Sequence, residues 1–121
     1  MLDKVEYCSK KVVEEFDTAQ SVGSGILPVF ATPMMVALME NAAMNAIEKF
    51  LKEGETSVGS ELNIKHLYPS HVGATIKATA TLLQQEGRKL IFSVSAFEND
   101  RLIGEGTHIR YIVNIEKFMA R

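Results

Sequence analysis

The sequence predicts a single α+β domain in which a curved antiparallel sheet of about five strands wraps one long central helix. Three observations predict it. The segment Pro33-Met-Met-Val-Ala-Leu-Met-Glu-Asn-Ala-Ala-Met-Asn-Ala-Ile47 is apolar on nearly every face, as a helix surrounded by protein must be. Beyond it the apolar period changes to two. The alternating segments are separated by turn signals short enough for hairpins, which makes the sheet antiparallel. With 121 residues the chain has room for one core, so residues 1–121 are read as one domain.

The elements follow in order. Residues 3–18 mix charge with β-branched residues, as in Lys4–Val13, and are read as the first strand. Gln20–Pro28, rich in glycine and serine, is either a lid across a pocket or an ordinary connection. Thr32-Pro33 starts the helix, threonine as cap and proline at the first helical position. The helix is expected to run to about Lys52, where charges gather, and to stop at Gly54. In the next strand, Val58–Leu67, alternation places Val58, Ser60, Leu62, Ile64 and His66 on one face and Gly59, Glu61, Asn63 and Lys65 on the other. Pro69–Gly73 is a turn, residues 74–84 a strand, and Gln85–Arg88 a hairpin turn into the face Leu90, Phe92, Val94 and Ala96. Asn99-Asp100 turns the chain into a final strand, Leu102–Ile115. A curved sheet around one helix is the hotdog fold. One such layer leaves the helix uncovered near its start, which dimerisation would cover, giving a homodimer or a dimer of dimers.

Composition narrows the function. A formal charge of −2 gives no electrostatic footprint for nucleic acid or an anionic membrane. No apolar run reaches membrane-spanning length, and Met1–Tyr7 has no apolar signal core. The single cysteine, Cys8, excludes an intrachain disulfide and fits a reducing, cytoplasmic setting. His66, His71, His108 and Cys8 lack metal-ligand spacing, so no metal and no cofactor are expected.

Glu40 is the residue that most needs explaining. A carboxylate in an apolar helix must be paired, protonated or used. Thr32 lies two turns before it, and His66 shares a strand face with Leu62 and Ile64, which must point at the helix. Each has a plainer role: Thr32 as a cap, His66 as a core histidine on a carbonyl, Glu40 at a dimer seam bonded to Asn41 or a tyrosine. Together, a hydroxyl, a carboxylate and an imidazole are the parts of an acyl-transfer site. His71 is expected to face solvent. His108 shares a face with Gly104, Gly106 and Arg110, opposite Ile103, Thr107, Ile109, Tyr111 and Val113, and is read as support for the dimer or the site.

Phe30-Ala-Thr32-Pro-Met-Met-Val-Ala-Leu-Met-Glu40, with Gly59-Ser-Glu-Leu-Asn-Ile-Lys-His66 and Gly104-Glu-Gly-Thr-His108-Ile-Arg110, resembles the hotdog-fold acyl-CoA thioesterases of the fluoroacetyl-CoA thioesterase type. The resemblance runs from about residue 10 to Phe118. It implies hydrolysis of an acyl-CoA thioester by a triad at Thr32, Glu40 and His66. It also implies an acyl pocket lined by Gly59, with Arg110 at a family arginine. Glu40 would be base or nucleophile, His66 the proton shuttle, and Thr32 an orienting or attacking hydroxyl beside helix-start amides that hold the oxyanion. The lid of the fluoroacetyl-specific enzymes carries bulky aromatic residues. Val22-Gly-Ser-Gly-Ile26 has none, which directs the expectation to a short or medium acyl chain, with Met34, Met35 and Met39 lining its pocket. Lys65, Arg88 and Lys89 are candidates for the phosphates of coenzyme A, which enters as part of the substrate. Two rivals remain. A hydratase of this fold would need an Asp-x4-His motif, which the chain lacks; a non-catalytic acyl-CoA-binding module would make Glu40 structural.

Overall fold

The structure, a computed structural model, describes residues 4–121. What was read on Met1–Asp3 lies outside the described residues. The elements are β1 (Glu6–Val12), α1 (Ala19–Val22), α2 (Thr32–Ala46), β2 (Glu55–His66), β3 (Thr75–Glu86), β4 (Lys89–Glu98), β5 (Arg101–Asn114) and α3 (Ile115–Met119). The strands form one antiparallel sheet in the order β1-β3-β4-β5-β2. Two tight turns make its central hairpins. Gly87 (φ 64°) turns β3 into β4, and Asn99 (φ 53°), a residue type that tolerates the left-handed region, turns β4 into β5.

The inner face of the sheet packs on α2, which buries Met35, Leu38, Met39, Ala42, Ala43 and Ala46. Opposite them lie Ile76, Ala78 and Ala80 of β3 and Leu90, Phe92, Val94 and Ala96 of β4. The alanines of β3 let the helix sit close to the sheet. Each large side chain so buried contributes about 1.5–3 kcal/mol, and this packing, more than local propensity, holds the helix.

Four boundaries or faces differ from the sequence reading. The cap is Ala31, not Thr32, which is already helical and uses its hydroxyl elsewhere. The helix ends at Ala46, well before Lys52; a 3-10 turn, Glu48–Phe50, follows, and Gly54 (φ 85°) shapes the next turn. Beyond Ile47 the side chains Glu48, Lys49 and Phe50 are exposed, so no apolar face remains to sustain the helix. The last strand ends at Asn114, one residue before the expected Ile115. A terminal helix that the sequence reading did not include, α3, follows, started by Asn114 accepting from the Lys117 N–H at 2.9 Å.

The fourth difference matters most. A β-bulge at Ser60 breaks the alternation of β2, so Ser57 and Gly59 face inward together with Leu62, Ile64 and His66. A second irregularity, between Ala96 and Phe97, lets Ile103 and Gly104 of β5 both be buried. His108 and Arg110 are therefore on the inner face with Ile103, rather than opposite it.

One face of α2 stays open along its length. Thr32, Pro33, Ala37 and Asn41 are exposed and Val36, Glu40 and Met44 half-buried, beside β2 at the sheet edge. Among the described residues, no helix is long and apolar enough to cross a membrane.

Candidate active site

The start of α2 is fastened before any chemistry is considered. The Ala31 N–H donates to Asp17 O at 2.9 Å and the Phe30 N–H to Ser70 O at 2.8 Å. Asp17 is buried and paired with Lys11 Nζ at 3.0 Å. On this anchored turn Thr32 Oγ1 lies 2.7 Å from Nδ1 of His66, the last residue of β2. His66 is half-buried, and its Nε2 is enclosed without a hydrogen-bond partner. Burial lowers its pKa below 6.5; the Tyr68 backbone, nearby but not aligned for a hydrogen bond, opposes this. The pair opens onto a cavity of about 270 Å³ that Phe30, Ser24 and Tyr68 also line.

Helix-start amides are fewer here than expected. Pro33 has no N–H, and Met34 and Met35 both donate to Ala31 O at 3.0 Å. The Thr32 N–H is the donor left at the helix start, beside its own hydroxyl.

Glu40 stands eight residues further along α2, roughly 12 Å by the helical rise. It is not deeply buried: its side chain is 38% exposed, on the open face of the helix. It bonds neither to Asn41, which is engaged with Ser9 and Asn45, nor to a tyrosine. Its neighbour is Arg110 of β5, with Nη1 3.8 Å from Glu40 Oε2. Arg110 is itself buried and gripped by Ser57, donating from Nε to Oγ at 2.8 Å and from Nη2 to the Ser57 carbonyl at 2.9 Å. Burial lowers the Arg110 pKa and Glu40 opposes that shift. Gly59 faces this group across β2. A second cavity, about 410 Å³, is lined by Glu40, Asn41, Met44, Ser57, Gly59 and Arg110.

The structure thus brings Thr32 and His66 into contact and, separately, Glu40, Gly59 and Arg110. It does not join the two groups within one chain. Met35 belongs to neither cavity wall: it is fully buried, with its thioether against Gly104, where a Cβ would come within 2.5 Å of the sulfur. Met39 is likewise core, whereas Met44 lines the Glu40 cavity. His71 is exposed, and so are Lys65 and Arg88, the latter 3.7 Å from Glu55. Ser57 escaped the sequence reading because its inward position depends on the Ser60 bulge. A larger opening, about 660 Å³, lies beyond the end of α2 near Val5, Phe50 and Leu82, away from both clusters. Among the described residues, no group of three or more His, Cys, Asp or Glu side chains is placed to hold a metal ion.

A long helix wrapped by a five-stranded antiparallel sheet is the hotdog fold, the architecture of the thioesterases on which this chain superposes. Comparison with known proteins makes this specific. Residues 13–116 match the family described as fluoroacetyl-CoA-specific thioesterase. A fluoroacetyl-CoA thioesterase from Streptantibioticus cattleyicolor is 42% identical over 93 residues, 77% of this chain and 67% of that protein. The crystal structure of the fluoroacetyl-CoA thioesterase FlK superposes with a TM-score of 0.91 at 35% identity, covering 99% of this chain and 93% of FlK. A thioesterase superfamily member from Thermus thermophilus superposes with a TM-score of 0.90 at 30% identity, covering 98% of this chain and 88% of that one. The chain belongs to the fluoroacetyl-CoA thioesterase family of hotdog-fold acyl-CoA thioesterases, and it is a thioester hydrolase.

Proposed function

We propose that this enzyme hydrolyses a short or medium acyl-CoA in a site shared by two subunits, with no cofactor beyond the coenzyme A of the substrate. The observation that carries the shared site is the division of the polar groups. Thr32 and His66 touch at 2.7 Å, while Glu40 lies with Arg110 two helical turns away. Two copies related by a two-fold axis, with β2 edges paired and the open faces of α2 crossing, bring Thr32 and His66 of one toward the partner subunit's Glu40. Such pairing also satisfies the unpaired backbone of β2 and covers Ala37 and Asn41.

In this site Glu40 either takes the proton of the water that attacks the thioester carbonyl, or attacks it directly to form a mixed anhydride that a water then hydrolyses, releasing the acid and restoring the carboxylate. The Thr32 N–H and hydroxyl hold the carbonyl oxygen as it becomes an oxyanion. The C–S bond breaks as His66 passes a proton to the departing thiolate. A histidine kept neutral by burial can accept that proton from the attacking water, directly or through Glu40, before passing it on. Gly59 leaves room for the acyl group beside Glu40. The exposed thiol of Cys8 suits a reducing, cytoplasmic environment.

An acyl-CoA panel with a thiol-detecting readout tests the reading. Wild type releases coenzyme A from at least one short or medium acyl-CoA, and Glu40→Gln and His66→Ala lose that release while remaining folded. A Glu40→Gln protein with unchanged turnover would return Glu40 to a structural role, and release of coenzyme A from no acyl-CoA by the wild type would favour a binding module.

A further inference from the structure

His108 is an ionisable group with no exposed surface that this reaction scheme leaves unused. Its Nδ1 lies 2.9 Å from the Glu61 carbonyl and its Nε2 lies 3.2 Å from Arg110 Nη1. A carbonyl only accepts and a guanidinium only donates. Both contacts are hydrogen bonds in just one state of the ring, neutral with its proton on Nδ1, donating to Glu61 and accepting from Arg110. Protonated, it would set N–H against N–H beside a second cation. Phe92, with ring centroids 6.2 Å apart and planes at 30°, backs the imidazole from the core.

The contacts run in one direction. The bulge at Ser60 places the Glu61 carbonyl, which orients His108, which accepts from Nη1 of Arg110. Ser57 holds the other guanidinium nitrogens, and Nη1 is the nitrogen nearest Glu40. Without His108 the Nη1 group would lose its acceptor and could turn toward Glu40 or away from it.

We propose that His108 is a positioning residue for hydrolysis: as a neutral acceptor it fixes the guanidinium of Arg110 at the set distance from Glu40 that the reaction uses. The proposal rests on Glu40 being the reacting carboxylate, and its test separates the two ideas. The first arm is independent of turnover. Long-range 1H–15N correlation spectra of the wild-type enzyme at pH 7.5 are expected to show His108 neutral with the proton on Nδ1. The opposite tautomer would overturn the proposal, whatever Glu40 does.

The second arm uses two substitutions that each keep half of the imidazole's bonding. His108→Gln can place an acceptor near the Nε2 position. His108→Asn can place a donor near the Nδ1 position but cannot reach Arg110. The asparagine protein is expected to lose about tenfold in kcat with KM within about threefold, and the glutamine protein to recover most of that loss. In an Arg110→Gln background, His108→Asn should add nothing, because the residue acts through the guanidinium. Equal losses in both variants, or full additivity with Arg110→Gln, would show a merely structural histidine. Normal tautomer and coupling with an active Glu40→Gln enzyme would instead count against the role given to Glu40.

Discussion

Gly59 and Glu40 are in register across the gap between β2 and α2: a Cβ on Gly59 would stand 2.5 Å from Glu40 Oε2. The same atom would lie 3.1 Å from His108 Cε1 and 3.3 Å from Arg110 Nη1. Gly59 has an ordinary extended backbone, so the requirement for glycine is one of space. The atom it would strike is the end of a half-exposed side chain, which can swing away at little cost in stability. Gly59→Ala is therefore expected to fold with a Tm within a few degrees of wild type and to lose activity on the order of 10–100-fold, because the carboxylate is displaced by an ångström or more. Thermal melts together with the thiol-release assay check this; full activity would show that the carboxylate position is not critical.

If the site is shared between subunits, two dead proteins can make a live one. Glu40→Gln and His66→Ala homodimers each lack a group in both sites. In a mixed dimer one site receives the intact His66 of the first chain and the intact Glu40 of the second, and the other site receives both lesions. Co-expression and purification of the mixed dimer should recover about half the wild-type rate per dimer. If each chain carried a complete site of its own, every site in the mixed dimer would hold one lesion and no activity would return.

The fold was legible because its signals are strong and local: one apolar helix, then alternating strands with glycine and asparagine at the turns. The candidate site was legible as a set of residues but not as a geometry. Thr32 and His66, both read as partners of Glu40, lie instead against each other at 2.7 Å, while Glu40 faces Arg110. Glu40 was read as buried, whereas the single chain leaves it on the open side of α2; composition shows that a helix is apolar but not which side is uncovered. The inward turns of Ser57 and Gly59 depend on one bulged residue, Ser60, and a single inserted residue reverses every face assignment before it. Alternation along Gly104-Glu-Gly-Thr-His-Ile-Arg110 placed His108 and Arg110 on one face correctly. Its two glycines were the available sign that this face lies against something close.

Asp17 gives a prediction about stability that does not depend on catalysis. Its carboxylate has no exposed surface, pairs with Lys11, and accepts from the Glu14 N–H at 2.9 Å through Oδ2. Its backbone carbonyl receives the Ala31 N–H, so it ties the first connection to the start of α2. Asp17→Ala leaves Lys11 unpaired and a backbone donor unsatisfied, at a cost of about 2–4 kcal/mol and a Tm drop on the order of 10 °C. Activity per folded molecule should fall as well, since Thr32 follows directly on the tethered turn. A Tm drop of under about 2 °C would mean that the pair contributes nothing net.

The two inward histidines predict how stability responds to acid. Burial lowers the pKa of both His66 and His108 from 6.5, and for His108 the Arg110 charge adds to the effect while the Glu61 backbone and Glu40 oppose it. The folded protein thus holds both rings neutral where the unfolded chain would protonate them. Between the unfolded value near 6.5 and the lower folded values, the unfolded state binds more protons, so stability rises with pH there. The contribution of neutral histidine is fully present above that window and is lost as pH falls through it. Wild-type Tm is expected to be level between pH 7 and 8 and to decline below about pH 6.5. His108→Gln and His66→Gln, which cannot titrate at these positions, should each show a shallower decline between pH 6.5 and 5 than wild type. Parallel Tm profiles for all three proteins would mean that neither histidine is held neutral by the fold.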